Sequence, residues 1–453
     1  MGRLPAGVAS YTFLSRWDGA LGRGIRSAYH DSMFARDLAS ALTLLLLNHL
    51  LPAADWPAWR GPEGIGVTSE TDLPEKWSAT ENVKWSVELP EPGNSTPVIW
   101  GDRIFLTQAV GTRRTLMCLD RRDGKVQWQD GPSWTEAERT HKTNPFCAAS
   151  PVTDGERVIA WFGSAGLYCW DFAGREQWHV DLGKQDHEWG YGGSPVIDGD
   201  WCFLLFGPGL RSFLVAVDKR TGKEGWRFDV PAPATPEGPG SGQSWIGSWS
   251  TPAIMEIAGE RQLIVALPGA LHAFEPTTGR ALWHCNGLNP LAYAQPLLVD
   301  GVLVGLGGYN GYAIGTQPGG SGDVTAANRL WQEKRSPQRI GSGVAIDGKI
   351  YLGSDPGIIQ CLEAKTGKIL WEERPPVPGG RAASWSSIVQ SGDRLYLVTK
   401  NSDTIVFRVA PKFELRAVNS LHDGMTNASL AVAHGELFIR THRHLWCIGT
   451  GTN

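Results

Sequence analysis

The chain has 453 residues, more than one compact core ordinarily holds, so it must be several domains, an elaborated barrel or a repeat array. Its 56 glycines, 21 tryptophans and 19% charged residues favour the last: many short strands, tight turns and large aromatic anchors. The formal net charge of -4, with no Lys/Arg run, leaves no basic field to collect phosphates and excludes nucleic acid as a partner.

Near the N-terminus, residues 38–51 (LASALTLLLLNHLL) form an apolar stretch that holds Asn48 and His49 and is followed by Pro52, Ala53 and Ala54. A short apolar core before small residues predicts a signal peptide with Met33 as the start and residues 1–32 as an upstream extension. It is too short and too polar for a comfortable membrane span. A non-cleaved amphipathic leader is the alternative. No cysteine follows the core, so no lipid anchor is expected and the cleaved protein should be free of the membrane, with no transmembrane span.

The rest of the chain repeats. A strand, a turn and a tryptophan-bearing strand recur in LDRRDGKVQW ending at Trp128, WDFAGREQW at Trp178, VDKRTGKEGW at Trp226, FEPTTGRALW at Trp283 and LEAKTGKILW at Trp371. A degenerate copy ends at Trp331, and residues 413–418 fill the corresponding place in another. Gly124, Gly174, Gly222, Gly279 and Gly367 occupy the turn, where hairpins need a positive φ. Before each hairpin lies a short apolar strand ending in glycine, at Gly101, Gly155, Gly199, Gly259, Gly301, Gly348, Gly392 and Gly435. Their spacing matches the roughly 40 to 50 residues of a four-stranded propeller blade.

These eight glycines predict an all-β, eight-bladed β-propeller over residues 55–453. The last blade lacks an outer strand, and ENVKWSVELP with Trp85 is expected to supply it beside Trp446, which closes the ring without an open edge. The repeat tryptophans are expected to pack between blades. Cys118, Cys169, Cys361 and Cys447 share one repeat position with Ala216 and Ala273, so the seven cysteines read as small buried residues with free thiols rather than a disulfide framework.

The hairpin AVDKRTGKEGW resembles the A-x-D-x-x-T-G-K-x-x-W mark of PQQ-like, quinoprotein-type propeller repeats, and the resemblance covers residues 55–450. Within that superfamily it looks like the non-catalytic branch, which includes the propeller subunit of the outer-membrane barrel assembly machinery and exported proteins that open with a segment like DWPAWRGPEGIGV. That branch implies an exported protein of the periplasm or cell envelope. Quinone-dependent dehydrogenases on this fold hold pyrroloquinoline quinone (PQQ) beside calcium, and the alcohol dehydrogenases add a disulfide between adjacent cysteines. This chain has no adjacent cysteines and no evident set of calcium-ligating carboxylates.

In a propeller the segments leading into the innermost strands reach one end of the central channel. They carry His141, Lys142, Asn144, His187, Glu188, Trp189, Tyr191, Trp245, Trp249, Tyr293, Gln295, Arg339, Arg381, Trp385 and Asn427. Aromatic faces mixed with a few cations and amides suit a binding mouth, although they could equally cap blade ends. Glu188, Trp189, Trp249, Arg339, Arg381 and Trp385 are expected to converge on one face. His141, His187 and Glu188 could bind a metal or serve as acid and base, but their spacing favours hydrogen-bonded histidines, and no catalytic or metal residue is assigned. The Ser/Thr-Pro pairs that open several blades mark architecture, and GLGGYNG and GGSGD read as tight turns.

The sequence thus points to a monomeric, exported, non-enzymatic propeller that binds an envelope protein, a glycan or a small ligand at the channel mouth, without a cofactor. A PQQ-dependent oxidoreductase with calcium is the alternative, and a hydrolase or lyase using His187 and Glu188 is a third. N-terminal sequencing of the protein from its native host should find the mature chain starting close to Asp55; a retained segment over residues 33–50 would overturn the secretion reading.

Overall fold

The computed structural model describes residues 55–231, 247–309, 311–334, 338–378, 380–409 and 412–450. The leader and Trp245 lie outside the described residues. Among them, the strands form eight four-stranded antiparallel blades, two of which carry an extra short parallel strand. The innermost strands of blades 1 to 8 are Val98–Trp100, Val152–Thr153, Val196–Asp198, Ala253–Ile257, Leu297–Val299, Val344–Ile346, Val389–Ser391 and Ala431–Ala433. Each turns back through its expected glycine. Blade 8 takes its outer strand from the other end of the sequence, with Val83–Glu88 antiparallel to His444–Ile448 and Ser86 opposite Trp446. In the described residues no helix is long and apolar enough to cross a membrane.

The outer-strand tryptophans join the blades. Within its own sheet each faces a small residue: Trp85 faces Cys447, Trp128 Cys118, Trp178 Cys169, Trp226 Ala216, Trp283 Ala273 and Trp371 Cys361. All seven cysteines are free and buried. The indole N–H of Trp85, Trp128, Trp178, Trp226 and Trp331 then reaches a turn carbonyl of the next blade at 2.8–3.1 Å. The turn glycine of that blade lies flat on the ring: a Cβ on Gly124, Gly174, Gly222, Gly279 or Gly367 would sit 2.4–2.7 Å from an indole carbon. Glycine is therefore required there twice, for a φ of +71° to +82° and for the absence of a side chain.

Blade 5 departs from this pattern. Its third strand, Ala313–Thr316, leads through a short helical turn, Thr325–Asn328, to the outer strand Arg329–Glu333, so no hairpin glycine is available for Trp283. That tryptophan donates instead to Gln262 Oε1 of its own blade, at 2.9 Å. The added strand Gly322–Asp323 runs parallel to Ala281–Asn286 and covers the gap.

At the centre, the residues that open the innermost strands form a circuit. The amide of Thr96 donates to Ser150 Oγ (2.8 Å), that of Ser150 to Ser194 Oγ (3.0 Å) and that of Ser194 to Thr251 Oγ1 (3.0 Å). Beyond blade 5 it resumes from Gln295 to Ser342 (2.9 Å), Ser342 to Ser387 (3.0 Å), Ser387 to Ser429 (2.9 Å) and Ser429 back to Thr96 (3.1 Å). Only the step between blades 4 and 5 differs, where the side-chain Nε2 of Gln295 reaches back to Pro252 O at 3.2 Å. The repeated Ser/Thr positions are thus buried acceptors for buried amides.

On the side of this circuit toward which the innermost strands run, residues 55–68 cross the channel as a strap. Trp56 exchanges two backbone hydrogen bonds with Ile99 of blade 1 (2.9 Å each), and Pro57 O accepts from Thr153 N of blade 2 (2.9 Å). Val67–Thr68 pairs parallel with Val389–Ser391 of blade 7. Buried Arg60 donates to Gly343 O (2.6 Å) and Ser342 O (3.3 Å) of blade 6. Burial lowers its pKa to about 9. Ser387→Ala should remove the acceptor of the Ser342 amide and cost roughly 1–3 kcal/mol. Chemical denaturation should record the loss as a lowered midpoint, and an unchanged midpoint would show that the circuit contributes nothing.

Candidate functional site

Above the circuit lies a cavity of about 530 Å³, walled by the segments that lead into the innermost strands and by two loops between second and third strands. Trp189, Trp249, Tyr293, Trp385, His141, His187, Asn144 and Asn427 line it, together with Trp59, Asn94, Thr143, Tyr309 and Asp355. Ser150, Ser194, Thr251 and Ser429 of the circuit lie at its base. Trp59 and Thr251 also border a second cavity of about 760 Å³ between the strap and the innermost strands of blades 3 to 5. The strap residue Trp59 therefore stands where the two spaces meet.

The wall rings pack in two groups. His141 packs on Trp189 with centroids 4.2 Å apart, His187 meets Trp249 edge-on at 4.8 Å, and Trp249 meets Tyr293 at 4.8 Å. Trp249 Nε1 is held by Gly190 O (3.1 Å). Asn144 donates to the carbonyls of Trp189 (2.7 Å) and Tyr191 (2.9 Å), while Asn94 and Asn427 both donate to Thr143 O (2.9 and 2.7 Å). Across the cavity, Trp385 Nε1 donates to Asp355 Oδ1 at 3.0 Å. Lys400 binds the same oxygen and holds its ammonium 4.1 Å from the Trp385 ring centre.

Charge is scarce here. Asp355 is the one carboxylate among the described lining residues, and Lys400 neutralises it. Burial, with Arg139 nearby, lowers the pKa of His187 from 6.5 to about 4. Its Nδ1 accepts the Trp189 amide at 3.0 Å, so the ring is neutral. Behind Asn94, burial followed by the charge of Arg440 lowers His442 to about 4 as well.

Several expected members of the mouth lie elsewhere. Arg339 is fully buried inside blade 6, donating to Gln360 Oε1 (2.9 Å through Nη2) with Glu333 at 3.8 Å, because those acceptors draw its long side chain into the sheet. Arg381, Glu188 and Lys142 are exposed and do not line the cavity. Buried Tyr191 packs on Trp161 at 4.6 Å, its hydroxyl accepting the Cys147 amide at 3.3 Å. Of the six residues expected to converge, Trp189, Trp249 and Trp385 line the cavity and Glu188, Arg339 and Arg381 do not.

Trp59, Asn94, Tyr309 and Asp355 line the cavity without being among the residues expected there. Trp59 lay in a segment read as a family mark and Tyr309 in a loop read as a turn, whereas Asp355 and Asn94 belong to no repeat signal.

The donor set does not fit a calcium-assisted quinone. Calcium takes six to eight oxygens, several from carboxylates. Asp355 stands alone among the described lining residues and its Oδ1 is already bound twice. No three His, Cys, Asp or Glu side chains among the described residues are grouped to hold a metal ion.

A family model described as "Outer membrane protein assembly factor BamB" matches residues 66–204, 167–326 and 320–412. The quinohemoprotein alcohol dehydrogenase ADH-IIG of Pseudomonas putida is 27% identical over 259 residues, which cover 48% of this chain and only 34% of that enzyme's length. Among solved structures, BamB from Moraxella catarrhalis superposes with a TM-score of 0.55 at 14% identity, over 80% of this chain and 98% of that one. Quinohemoprotein alcohol dehydrogenase from Comamonas testosteroni gives 0.60 at 13% identity, over 88% and 81%. At such identities the superpositions show a common propeller fold.

The three lowered histidines, His187, His272 and His442, bind protons in the unfolded chain from pH 6.5 downward but in the folded chain only near pH 4. Stability should therefore fall as pH drops from about 6.5 to about 4. His187→Asn, which keeps an acceptor for the Trp189 amide, should reduce that loss by up to about 3 kcal/mol. Denaturation midpoints compared at pH 7 and pH 4.5 check this, and an unaltered pH slope in the variant would contradict it.

Proposed function

The chain belongs to the PQQ-like propeller family described as outer membrane protein assembly factor BamB, and from that premise we propose that it is a non-enzymatic binding scaffold of the cell envelope whose binding site is the channel mouth. The observation that carries this reading is the cavity of about 530 Å³: aromatic on its walls, polar at amides, hydroxyls, two imidazoles and one ion-paired carboxylate, and backed by Trp59 of the strap. Cavities of this size with apolar walls and a few fixed polar groups suit recognition of a ligand or an inserted side chain. Catalysis would need a nucleophile or a poised acid and base. The two lining imidazoles serve other ends, His187 as a neutral acceptor and His141 as a partner of Thr143 Oγ1 at 2.7 Å.

The apolar stretch over residues 38–51 supports export, and the description of the matching family, outer membrane protein assembly factor, supports an envelope location. The partner class left open is a protein, a glycan or a small molecule.

The double variant Trp249→Ala/Trp385→Ala should lose the partner recovered with the wild-type protein from native envelopes while keeping its circular dichroism spectrum. Equal recovery with both proteins would overturn the assignment of the mouth. A saturable quinone absorbance on adding PQQ with calcium, abolished by the same double variant, would replace the scaffold reading with an oxidoreductase.

A further inference from the structure

We propose that the occupant of the channel mouth is an uncharged saccharide, held between Trp59 below and the rings of the wall and rim. The proposal rests on the mouth being a binding site and names what it binds.

Sugars present flat C–H faces edged by hydroxyls, and indole and phenol rings offer the matching apolar platforms. Six such rings meet here: Trp59, Trp189, Trp249, Tyr293, Tyr309 and Trp385. Two of them, Trp189 and Tyr309, are 41% and 49% exposed, which is unusual for large rings in a propeller otherwise packed with tryptophan. Exposed aromatic area of this kind marks an interaction site.

The indole N–H groups of Trp59 and Trp189 and the hydroxyls of Tyr293 and Tyr309 have no hydrogen-bond partner among the described residues and are not sealed from solvent. By contrast, the indoles of Trp249 and Trp385 are engaged with Gly190 and Asp355. Burial raises the pKa of the Tyr293 hydroxyl, so it remains a donor throughout the neutral range. Free donors set between apolar faces suit an oxygen-rich ligand that is both acceptor and donor.

An anionic ligand would require a cation facing the cavity, but Lys400 is held by Asp355 and lies over Trp385, while Arg339 is buried away from it. A cationic ligand would have to displace Lys400 from Asp355 and from the ring it already occupies. The neutral state of His187 completes an uncharged lining. Free donors, open rings and compensated charge together select a neutral polyol over an ion.

The test is tryptophan fluorescence titration, confirmed by calorimetry, of the wild-type propeller with cellotriose, maltotriose and triacetylchitotriose, with trigalacturonate and choline as anionic and cationic probes. Saturable binding of at least one neutral saccharide and no binding of the charged probes is expected. Trp189→Ala, at an exposed rim position, should weaken that binding by about tenfold, the worth of one good stacking face. Trp59→Phe should retain most of the affinity and Trp59→Ala should lose it; their melting temperatures will report whether the strap has stayed in place. Binding of choline or trigalacturonate in place of the neutral sugars would overturn the proposal. So would binding unaffected by Trp189→Ala. If no probe binds while the envelope partner is still recovered in a Trp249- and Trp385-dependent way, the saccharide inference falls and the scaffold reading stands; loss of both overturns both.

Discussion

Eight innermost strands crowd around one axis, and each opens with a backbone amide that has no neighbour in its own sheet to receive it. An unpaired buried amide costs on the order of 1–3 kcal/mol, so a ring of them would be prohibitive. At seven of the eight steps the solution is a hydroxyl from the next blade, and the last of them returns the circle to Thr96. This constraint accounts for Ser or Thr at Thr96, Ser150, Ser194, Thr251, Ser342, Ser387 and Ser429. It also sets the height at which every loop leaves the channel, and so places the rings of the cavity above. The tryptophan and glycine contacts at the rim repeat the same principle: each blade completes the next.

The propeller was legible in the sequence because its signals are local and periodic. A turn glycine and a tryptophan a few residues on lie close together in one hairpin, and repetition made them countable. The partnership of Trp85 with the last blade was legible because an unfilled position and an unused strand matched.

The cavity was legible only in part. Trp189, Trp249, Tyr293 and Trp385 precede innermost strands and follow blade symmetry into the mouth, as do His187 and Asn427. Symmetry fixes a backbone, however, and not where a side chain ends. Arg339 turned into its blade because Gln360 offered an acceptor there, whereas Arg381 and Glu188 found better solvation outside. Trp59 could not be placed, since its position depends on a strap anchored by residues of four blades far away in sequence. Tyr309 and Asp355 reach the mouth from the loops between second and third strands, which carry no repeated motif.

The same 34 residues, 55–88, both cross the axis and provide the outermost strand of the final blade. The strand Val83–Glu88 must therefore wait, unpaired in its sheet, for residues 444–448 before the rim can close. Contacts between the two extremes of a chain carry the largest loop-closure entropy and form late. Seven blades can assemble progressively during synthesis, yet the ring as a whole behaves as a clasp that shuts only once. Until then the strand that will complete blade 8 and that blade's open edge are both exposed to other chains, which makes the interval before closure the period of greatest risk of misassembly.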